Sequence, residues 1–202
     1  MSSKTRIAIF VSGRGSNFDS IYESILSGQL NAEIVCLVAD RPCLAVEKAT
    51  TRQIPTFISK NESEVINHIK PMNLDFLILA GYKKIISATF IENFKRDSQL
   101  SKIINIHPSL LPAFPGLHSY AQAFNYGVKF TGVTIHFVVP DVDAGPICAQ
   151  AVFSIEDCLN LEDVESRGLA IEHQLYPNTL KWIFSNQFSV KSRGSRFYVQ
   201  PH

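Results

Sequence analysis

The chain has 202 residues, of which 46% are hydrophobic and 18% are charged, and its formal net charge is +1. This length suits one well-buried globular domain, and so balanced a charge disfavours nucleic acid as a partner. The N-terminal apolar run at residues 7–11 is too short for a signal peptide or a membrane span, so we expect a cytoplasmic protein that binds no membrane. The four cysteines lack CxxC spacing, which indicates reduced thiols. Cys36 and Cys148 lie in apolar runs and are predicted to be core residues, with metal ligation as the alternative.

The first half of the chain alternates short apolar runs with longer mixed segments. The runs at residues 7–11, 34–38 and 76–79 are continuously apolar, which is typical of parallel strands covered on both faces. Apolar residues at helical spacing predict a helix that starts at Ser16 and ends near Gly28. The sequence therefore predicts an α/β fold with a doubly wound, mostly parallel, Rossmann-like sheet flanked by helices.

The second half changes its pattern. Residues 82–95 and 119–127 are predicted to be helical, with a strand at residues 101–107 between them. Two β-rich runs at residues 131–139 and 146–155 are joined by the polar loop PDVDAG, which predicts antiparallel strands added to the sheet. A long helical pattern then covers Leu161–Phe184, with Pro177 inside it or restarting it, and the last residues are expected to form a loosely packed extension.

The segment SGRGSN lies at the junction of the first strand and the first helix. Glycines allow a ligand to approach the backbone closely, and the N–H groups at a helix N-terminus favour anions, so Gly15, Ser16 and Asn17 are candidate phosphate ligands. The third glycine of a dinucleotide motif and the Lys-Ser/Thr of a triphosphate loop are missing, which favours a phosphate monoester. The alternative is an ordinary tight turn with a helix cap.

The segment NIHPSLLPAFPG carries an amide and an imidazole two residues apart. Asn105 and His107 would point to the same side of a strand, and Pro108 and Pro112 would make the following loop rigid. Asn offers neutral N–H donors, and His can carry charge or pass a proton near neutral pH. The pair could stabilise an oxyanion and act as an acid or base, although an Asn-x-His pair is also common in purely structural settings.

The loop PDVDAGPI adds two carboxylates, Asp141 and Asp143. A carboxylate placed beside His107 would orient it and favour its charged form. Without such a neighbour the loop is an ordinary acidic turn, in which aspartates bond to their own backbone. Strand alternation places His136 on the same face as Thr134, as expected for a partly buried histidine with satisfied hydrogen bonds.

Six motifs together carry a family resemblance. In chain order they are SGRGSN, LAGY, NIHPSLLPAFPGLHSYAQAFNYG, TGVTIHFV, DAGPICAQ and EHQLYP. Over residues 6–182 the chain resembles the phosphoribosylglycinamide formyltransferase family, folate-dependent enzymes of the formyltransferase superfamily that serve de novo purine biosynthesis. The resemblance implies a single formyltransferase domain over residues 1–202. Its parts would be a phosphate-binding half (about 1–100), a catalytic and folate-binding half (about 101–185) and a terminal extension (186–202).

The same resemblance implies a reaction and a set of site residues. The formyl group of 10-formyltetrahydrofolate would pass to the amine of glycinamide ribonucleotide through a tetrahedral intermediate, without a metal. The implied catalytic residues are Asn105, His107 and Asp143. Those for the ribonucleotide are Gly15, Ser16, Asn17, Leu169, Ala170, Ile171 and Glu172, with Glu172 on the amine. Those for the folate cosubstrate are Lys83, Lys84, Ile85, Ile86, His136, Val139, Pro140, Asp141 and Val142.

Two departures from the family pattern and three alternatives accompany this interpretation. Lys83-Lys84 replaces the Met-Arg common in the family, and the segment at residues 59–73 is shorter and lacks the usual arginine, so contacts to the folate glutamate tail are expected to differ. The alternatives are a sibling formyltransferase acting on another amine, a hydrolase of 10-formyltetrahydrofolate, and a non-catalytic binding module lacking one of the three catalytic residues. We expect a monomer or a homodimer that binds small molecules only.

Overall fold

The computed structural model of the protein describes residues 3–194 and 196–202. The chain forms two compact units, a first that ends at Asn105 and a second that covers Ile106–His202. None of the helices in the described ranges has the length and hydropathy needed to cross a membrane.

The first unit contains a parallel sheet whose strands are connected by helices. Its strands are β1 (Thr5–Val11), β2 (Ala32–Ala39), β3 (Thr56–Ile58), β4 (Phe76–Leu79) and the first residues of β5 (Ile103–His107). They are parallel and pair in the order β3, β2, β1, β4, β5. The helices are α1 (Ser16–Leu26), α2 (Leu44–Thr51), α3 (Glu62–Ile69) and α4 (Ala88–Asn93), with a short 3-10 turn at Lys70–Met72.

Burial explains why these strands are continuously apolar. Every residue from Ile7 to Val11 is fully buried, as are Leu77 and Ile78 of β4, because helices cover the sheet on both sides. Helix α1 begins at Ser16 as predicted, and Gly28 follows its end with a φ of +76°. The alternating β/α order and parallel sheet expected from the sequence are confirmed.

The segment after β4 differs from its prediction. Residues 82–95 were predicted to be helical, but only Ala88–Asn93 form a helix, which Ser87 caps by accepting a hydrogen bond from the Phe90 N–H at 3.1 Å. The preceding residues 82–87 are irregular, and the Lys83 N–H bonds to the Ser12 hydroxyl at 2.9 Å. Helix α3 had no counterpart in the sequence prediction.

The second unit contains antiparallel strands and two helices. The helices are α5 (Ser119–Tyr126) and α6 (Leu161–Phe184), and the strands are β6 (Phe130–Phe137), β7 (Ile147–Ser154), β8 (Phe188–Arg193) and β9 (Arg196–Pro201). The predicted antiparallel pairing of β6 with β7 is confirmed, and β9 lies parallel to β7 and antiparallel to β8. Helix α6 is continuous, with Pro177 inside it.

The chain end is more ordered than expected. The residues expected to form a loosely packed extension contain β8 and β9, and Val199 of β9 is buried. The Phe188 ring packs edge-on against Trp182 at 5.9 Å between ring centroids, and the His202 N–H bonds to the Gln187 carbonyl at 3.0 Å. Apolar contacts to α6 therefore hold this hairpin in place.

The cysteines behave as core residues where this was predicted. All four are free thiols, and Cys36 and Cys148 are buried. Burial raises the pKa of Cys36 to about 11 and that of Cys148 above its ordinary value, so both are neutral thiols near pH 7.

Gly132 of β6 provides a test of packing in the second unit. A Cβ at this position would lie 2.3 Å from the Ala151 carbonyl oxygen and 2.4 Å from Leu110 Cδ2. We expect Gly132→Ala to lower the free energy of unfolding by about 1–3 kcal/mol, measured by urea denaturation. Gly13→Ala is the matched control, since its Cβ would meet nothing within 4 Å. Equal stability of Gly132→Ala and the wild type would contradict this packing.

Candidate active site

The SGRGSN segment forms the turn between β1 and α1. Gly15 has a φ of +74°, a left-handed conformation that side-chain-bearing residues rarely adopt. A Cβ on Gly15 would also lie 2.6 Å from the Cβ of Ala45. Ser16 and Asn17 follow as the first residues of α1, where backbone N–H groups lack helical partners. The three candidate phosphate ligands therefore share one helix N-terminus.

Helix α2 fixes the backbone of this turn. The Ala45 N–H donates to the Gly13 carbonyl at 3.1 Å, and the Lys48 ammonium donates to the Arg14 carbonyl at 3.0 Å. Lys48 also pairs with the Asp19 carboxylate at 2.5 Å, and Asp19 belongs to the first turn of α1. Because two carbonyls of the turn are bound from α2, the turn is held rigid before any anion arrives.

The candidate folate residues Lys83, Lys84, Ile85 and Ile86 lie in the irregular segment before α4. Lys83 is tied to the end of β1 by its backbone bond to Ser12, and the Lys84 ammonium bonds to the Lys60 carbonyl. Ile85 is 73% exposed, whereas Ile86 is buried. The segment thus presents one apolar side chain and one lysine to solvent.

A buried carboxylate, Asp40, lies at the end of β2 in the same unit. Burial alone would raise its pKa, but hydrogen bonds from Arg41 and Ser12 together with the charge of Arg41 bring the pKa below its ordinary value. The Arg41 guanidinium contacts Asp40 Oδ2 at 2.6 Å. Asp40 is therefore ionised at neutral pH.

In the second unit, His107 ends strand β5 and is held at both ring nitrogens. Its Nε2 lies 3.0 Å from the Phe114 carbonyl oxygen and 3.1 Å from the Ser119 hydroxyl. Because a carbonyl only accepts hydrogen bonds, Nε2 carries a hydrogen. The other nitrogen, Nδ1, faces Asp143 Oδ2 at 3.4 Å. The doubly protonated ring is the form that can donate on both sides.

Asp143 is the carboxylate beside His107, and its backbone is unusual. Its φ is +53°, a conformation that is uncommon for a residue with a side chain. Oδ2 accepts a hydrogen bond from the Gly116 N–H at 2.7 Å, and Oδ1 lies 3.7 Å from Nε2 of His136. One carboxylate therefore joins the β6–β7 loop, the loop after β5 and the two histidines.

The β6–β7 loop is closed tightly at its base. A Cβ on Gly145 would lie 1.8 Å from the Phe137 carbonyl oxygen, so only glycine fits, and the Phe137 N–H bonds to the Pro146 carbonyl at 3.0 Å. The candidate folate residues Val139, Pro140, Asp141 and Val142 lie on this loop, with Val142 52% exposed. The closed base therefore helps to fix the position of Asp143, which lies two residues before Gly145.

A buried hydrogen-bond network holds the loop after His107. The Thr134 hydroxyl donates to the Ser109 carbonyl at 2.7 Å and accepts from the Leu111 N–H at 3.0 Å. The Gln150 amide donates both to that hydroxyl at 2.9 Å and to the Leu111 carbonyl at 3.0 Å. Every bonding capacity of the hydroxyl is used, so β6 and β7 together fix the loop backbone.

Leu169, Ala170, Ile171 and Glu172 are consecutive residues of α6. Consecutive helical residues point about 100° apart, so the four side chains cannot face one ligand together. Glu172 is buried and accepts a hydrogen bond from the Tyr120 hydroxyl at 2.8 Å, whereas Ala170 is exposed. Of these four candidates, Glu172 is the one with a polar side chain on the buried face.

The chain is similar in sequence to a known protein family. A sequence profile described as formyl transferase matches residues 5–180. The chain belongs to the formyl transferase family. It is 37% identical over 201 residues to the phosphoribosylglycinamide formyltransferase of Bacillus subtilis strain 168, covering 95% of this chain and 98% of that relative.

Solved structures agree with this family. The chain matches phosphoribosylglycinamide formyltransferase from Bacillus halodurans with a TM-score of 0.84 and 40% identity, over 90% of this chain and 96% of that one. It matches glycinamide ribonucleotide transformylase 1 from Symbiobacterium toebii with a TM-score of 0.90 and 28% identity, over 100% and 95%. The family and the fold expected from the motifs are confirmed, and the chain is a transferase.

Several residues of this formyl transferase that support the candidate site had no role in the sequence prediction. Ser119 contacts His107, Tyr120 bonds to Glu172, and Gln150 completes the Thr134 network. Gly168 inside the long helical pattern was the one available signal, since such a glycine often marks a close approach. Among residues 3–194 and 196–202, no cluster of three or more His, Cys, Asp or Glu side chains could hold a metal ion.

His136 of this family member has a pH dependence that can be measured. Burial lowers its pKa and the nearby His107 also lowers it, which outweighs the raising effects of the Phe137 carbonyl and Asp143. We expect the His136 ring to stay neutral at pH 6.5 in a ¹⁵N NMR titration. Below a pH of about 6.5 the unfolded chain binds a proton at this histidine more readily than the folded chain does. The free energy of unfolding should therefore decrease as the pH is lowered through this range. His136→Gln should lack this part of the fall, and a ring charged at pH 6.5 would contradict the prediction.

The Thr134 network can be tested with two identical substitutions on one strand. Thr134→Val leaves the Leu111 N–H and the Ser109 carbonyl without this partner, so we expect unfolding free energy to drop by about 2 kcal/mol or more. Thr131 is also buried on β6, but its hydroxyl has no hydrogen-bond partner among the residues described. Thr131→Val should therefore cost nothing in urea denaturation. Equal losses in the two variants would show that the network does not stabilise the loop.

Proposed function

We propose that this chain transfers the formyl group of 10-formyltetrahydrofolate to the amine of 5-phosphoribosylglycinamide, giving formylglycinamide ribonucleotide and tetrahydrofolate. The observation that carries the proposal is the arrangement of His107 between the Phe114 carbonyl and the Asp143 carboxylate. The names of the relatives give the substrate, since the matched proteins from the two Bacillus species are phosphoribosylglycinamide formyltransferases. The SGRGSN turn supports a substrate that carries a phosphate monoester.

The chemical step is attack of the amine on the formyl carbon. This attack places negative charge on the formyl oxygen in a tetrahedral intermediate, and hydrogen-bond donors held in place would stabilise that charge. Asn105 lies two residues before His107 on β5, so their side chains leave the strand on the same side. Because Nε2 of His107 is already bonded to Phe114, Nδ1 is the ring atom that donates to the oxyanion.

Asp143 keeps that donor charged. Its separation from Nδ1, 3.4 Å, exceeds the 2.7–2.9 Å of a strong charge-assisted bond, so the Nδ1 hydrogen can be shared with a substrate oxygen. As the intermediate collapses, the attacking nitrogen loses a proton and the departing folate nitrogen gains one. His107, Asp143 or a water molecule relays this proton.

The residues proposed for binding are those that the family resemblance implies. Gly15, Ser16 and Asn17 bind the phosphate with backbone N–H groups, and Glu172 binds the amine of the ribonucleotide. The residues proposed for the folate are residues 83–86 in the first unit and, in the second, residues 139–142 and His136. The exposed apolar side chains Ile85 and Val142 support an apolar ring system as the ligand of these segments.

Formyl transfer by the purified protein tests this function. We expect tetrahydrofolate release from 10-formyltetrahydrofolate only when glycinamide ribonucleotide is present. His107→Ala should lower kcat by about a thousandfold and Asp143→Asn by about a hundredfold, because they remove an oxyanion donor and the charge that supports it. Asp157→Asn is the matched control, since Asp157 is 72% exposed and pairs with Arg167 at the surface.

The other outcomes separate the alternatives. Folate release without the amine would identify a hydrolase of 10-formyltetrahydrofolate. Turnover with a different amine but not with glycinamide ribonucleotide would identify a sibling formyltransferase. Full activity in His107→Ala would overturn the mechanism, and binding without any turnover would indicate a non-catalytic module.

A further inference from the structure

A buried tyrosine contacts the carboxylate of Glu172. The Tyr120 hydroxyl donates to Glu172 Oε1 at 2.8 Å, and both residues are less than 10% exposed. A carboxylate buried this deeply needs hydrogen-bond donors to replace the water it has lost. Tyr120 supplies one from the second position of α5, so the direction of the Glu172 side chain is tied to a second helix.

Gly168 makes room for this contact. It lies four residues before Glu172, on the same face of α6. A Cβ at position 168 would lie 2.2 Å from the Tyr120 hydroxyl oxygen and 2.3 Å from Cζ of the same ring. These distances leave no space for a side chain at position 168, so the Tyr120 hydroxyl packs directly against the glycine.

The tyrosine ring is itself held in place. It packs against Phe153 of β7 with ring centroids 6.0 Å apart and an interplanar angle of 66°. Burial, followed by the charge of Glu172 and the hydrogen bond to it, raises the pKa of Tyr120 far above its ordinary value. The phenol therefore stays protonated and donates over the whole working pH range.

A neutral donor has a different consequence from a cationic one. An arginine or lysine beside Glu172 would cancel its charge, whereas a phenol satisfies one oxygen and leaves the net charge of the carboxylate intact. This combination suits a carboxylate that must bind an amine or a hydroxyl donor of a substrate.

We propose that Tyr120 is a positioning residue for the binding of the amine substrate, acting through Glu172. Gly168 leaves the space that the Tyr120 side chain occupies. This inference rests on the proposed function, because it takes Glu172 as the residue that binds the ribonucleotide. It adds a determinant of affinity for that substrate which is separate from His107 and Asp143. The folate cosubstrate has no part in it.

Steady-state kinetics with both substrates varied provide the test. In Tyr120→Phe the ring packing remains and one hydrogen bond to a charged group is lost, so KM for glycinamide ribonucleotide should rise about tenfold. The KM for 10-formyltetrahydrofolate and kcat should change less than about twofold. Gly168→Ala should show the same pattern, since its Cβ displaces the hydroxyl. Tyr126→Phe on the same helix is the matched control, because Tyr126 is 79% exposed.

A double variant shows whether Tyr120 acts through Glu172. Glu172→Gln alone should raise KM for the ribonucleotide, and adding Tyr120→Phe to it should change that KM less than about twofold. An unchanged KM in Tyr120→Phe, or equal factors with and without Glu172→Gln, would overturn the inference while leaving the proposed function intact. A wild-type chain without turnover on glycinamide ribonucleotide would overturn the proposed function and this inference together.

Discussion

The position of the Asp143 carboxylate is the constraint on which the surrounding cluster of His107, His136 and Gly116 depends. Its backbone is left-handed, one oxygen accepts the Gly116 N–H at 2.7 Å, and two histidines face it at 3.4 and 3.7 Å. A single carboxylate stabilises one positive charge well, and two adjacent imidazolium rings would repel each other. His136 is nearly fully buried and its pKa is lowered, so it is the neutral ring. His107 has oxygen atoms beside both ring nitrogens, Phe114 O at 3.0 Å from Nε2 and Asp143 Oδ2 at 3.4 Å from Nδ1.

One face of strand β6 supports both loops that meet at this carboxylate. Gly132, Thr134 and His136 alternate along the strand, so they share a face. Gly132 admits the side chain of Leu110, Thr134 bonds to the backbone at Ser109 and Leu111, and His136 faces Asp143. Three different kinds of contact, steric, hydrogen-bonded and electrostatic, therefore position these two loops from one rigid element. Such support on a strand is more precise than support by another loop.

Local sequence signals predicted the framework well and the supporting contacts poorly. The buried runs of β1 and β4, the start of α1 and the antiparallel pair β6–β7 follow from periodicity, glycine placement and polar turns, which are properties of neighbouring residues. Residues 82–87 were wrongly predicted as helix, and the contact that ties this segment to the end of β1, from the Lys83 N–H to the Ser12 hydroxyl, spans 71 positions that no local pattern connects. The Tyr120–Glu172 bond spans 52 positions, and no spacing rule reveals it. The terminal hairpin was missed since its strands are short, charged and only half-buried on one side.

The Asp143 and Glu172 carboxylates of the second unit show how different partners suit one chemical group to different functions. Asp143 accepts the Gly116 N–H and faces two imidazole rings, so it lies beside groups that can carry positive charge. Glu172 accepts a hydrogen bond from a neutral phenol, which adds no positive charge beside the carboxylate. If the two carboxylates exchanged partners, His107 would lose its counter-charge. Glu172 would then lie beside imidazole rings, which would weaken its attraction for an amine. The identity of the hydrogen-bond donor, rather than the carboxylate itself, therefore separates a group suited to catalysis from one suited to binding.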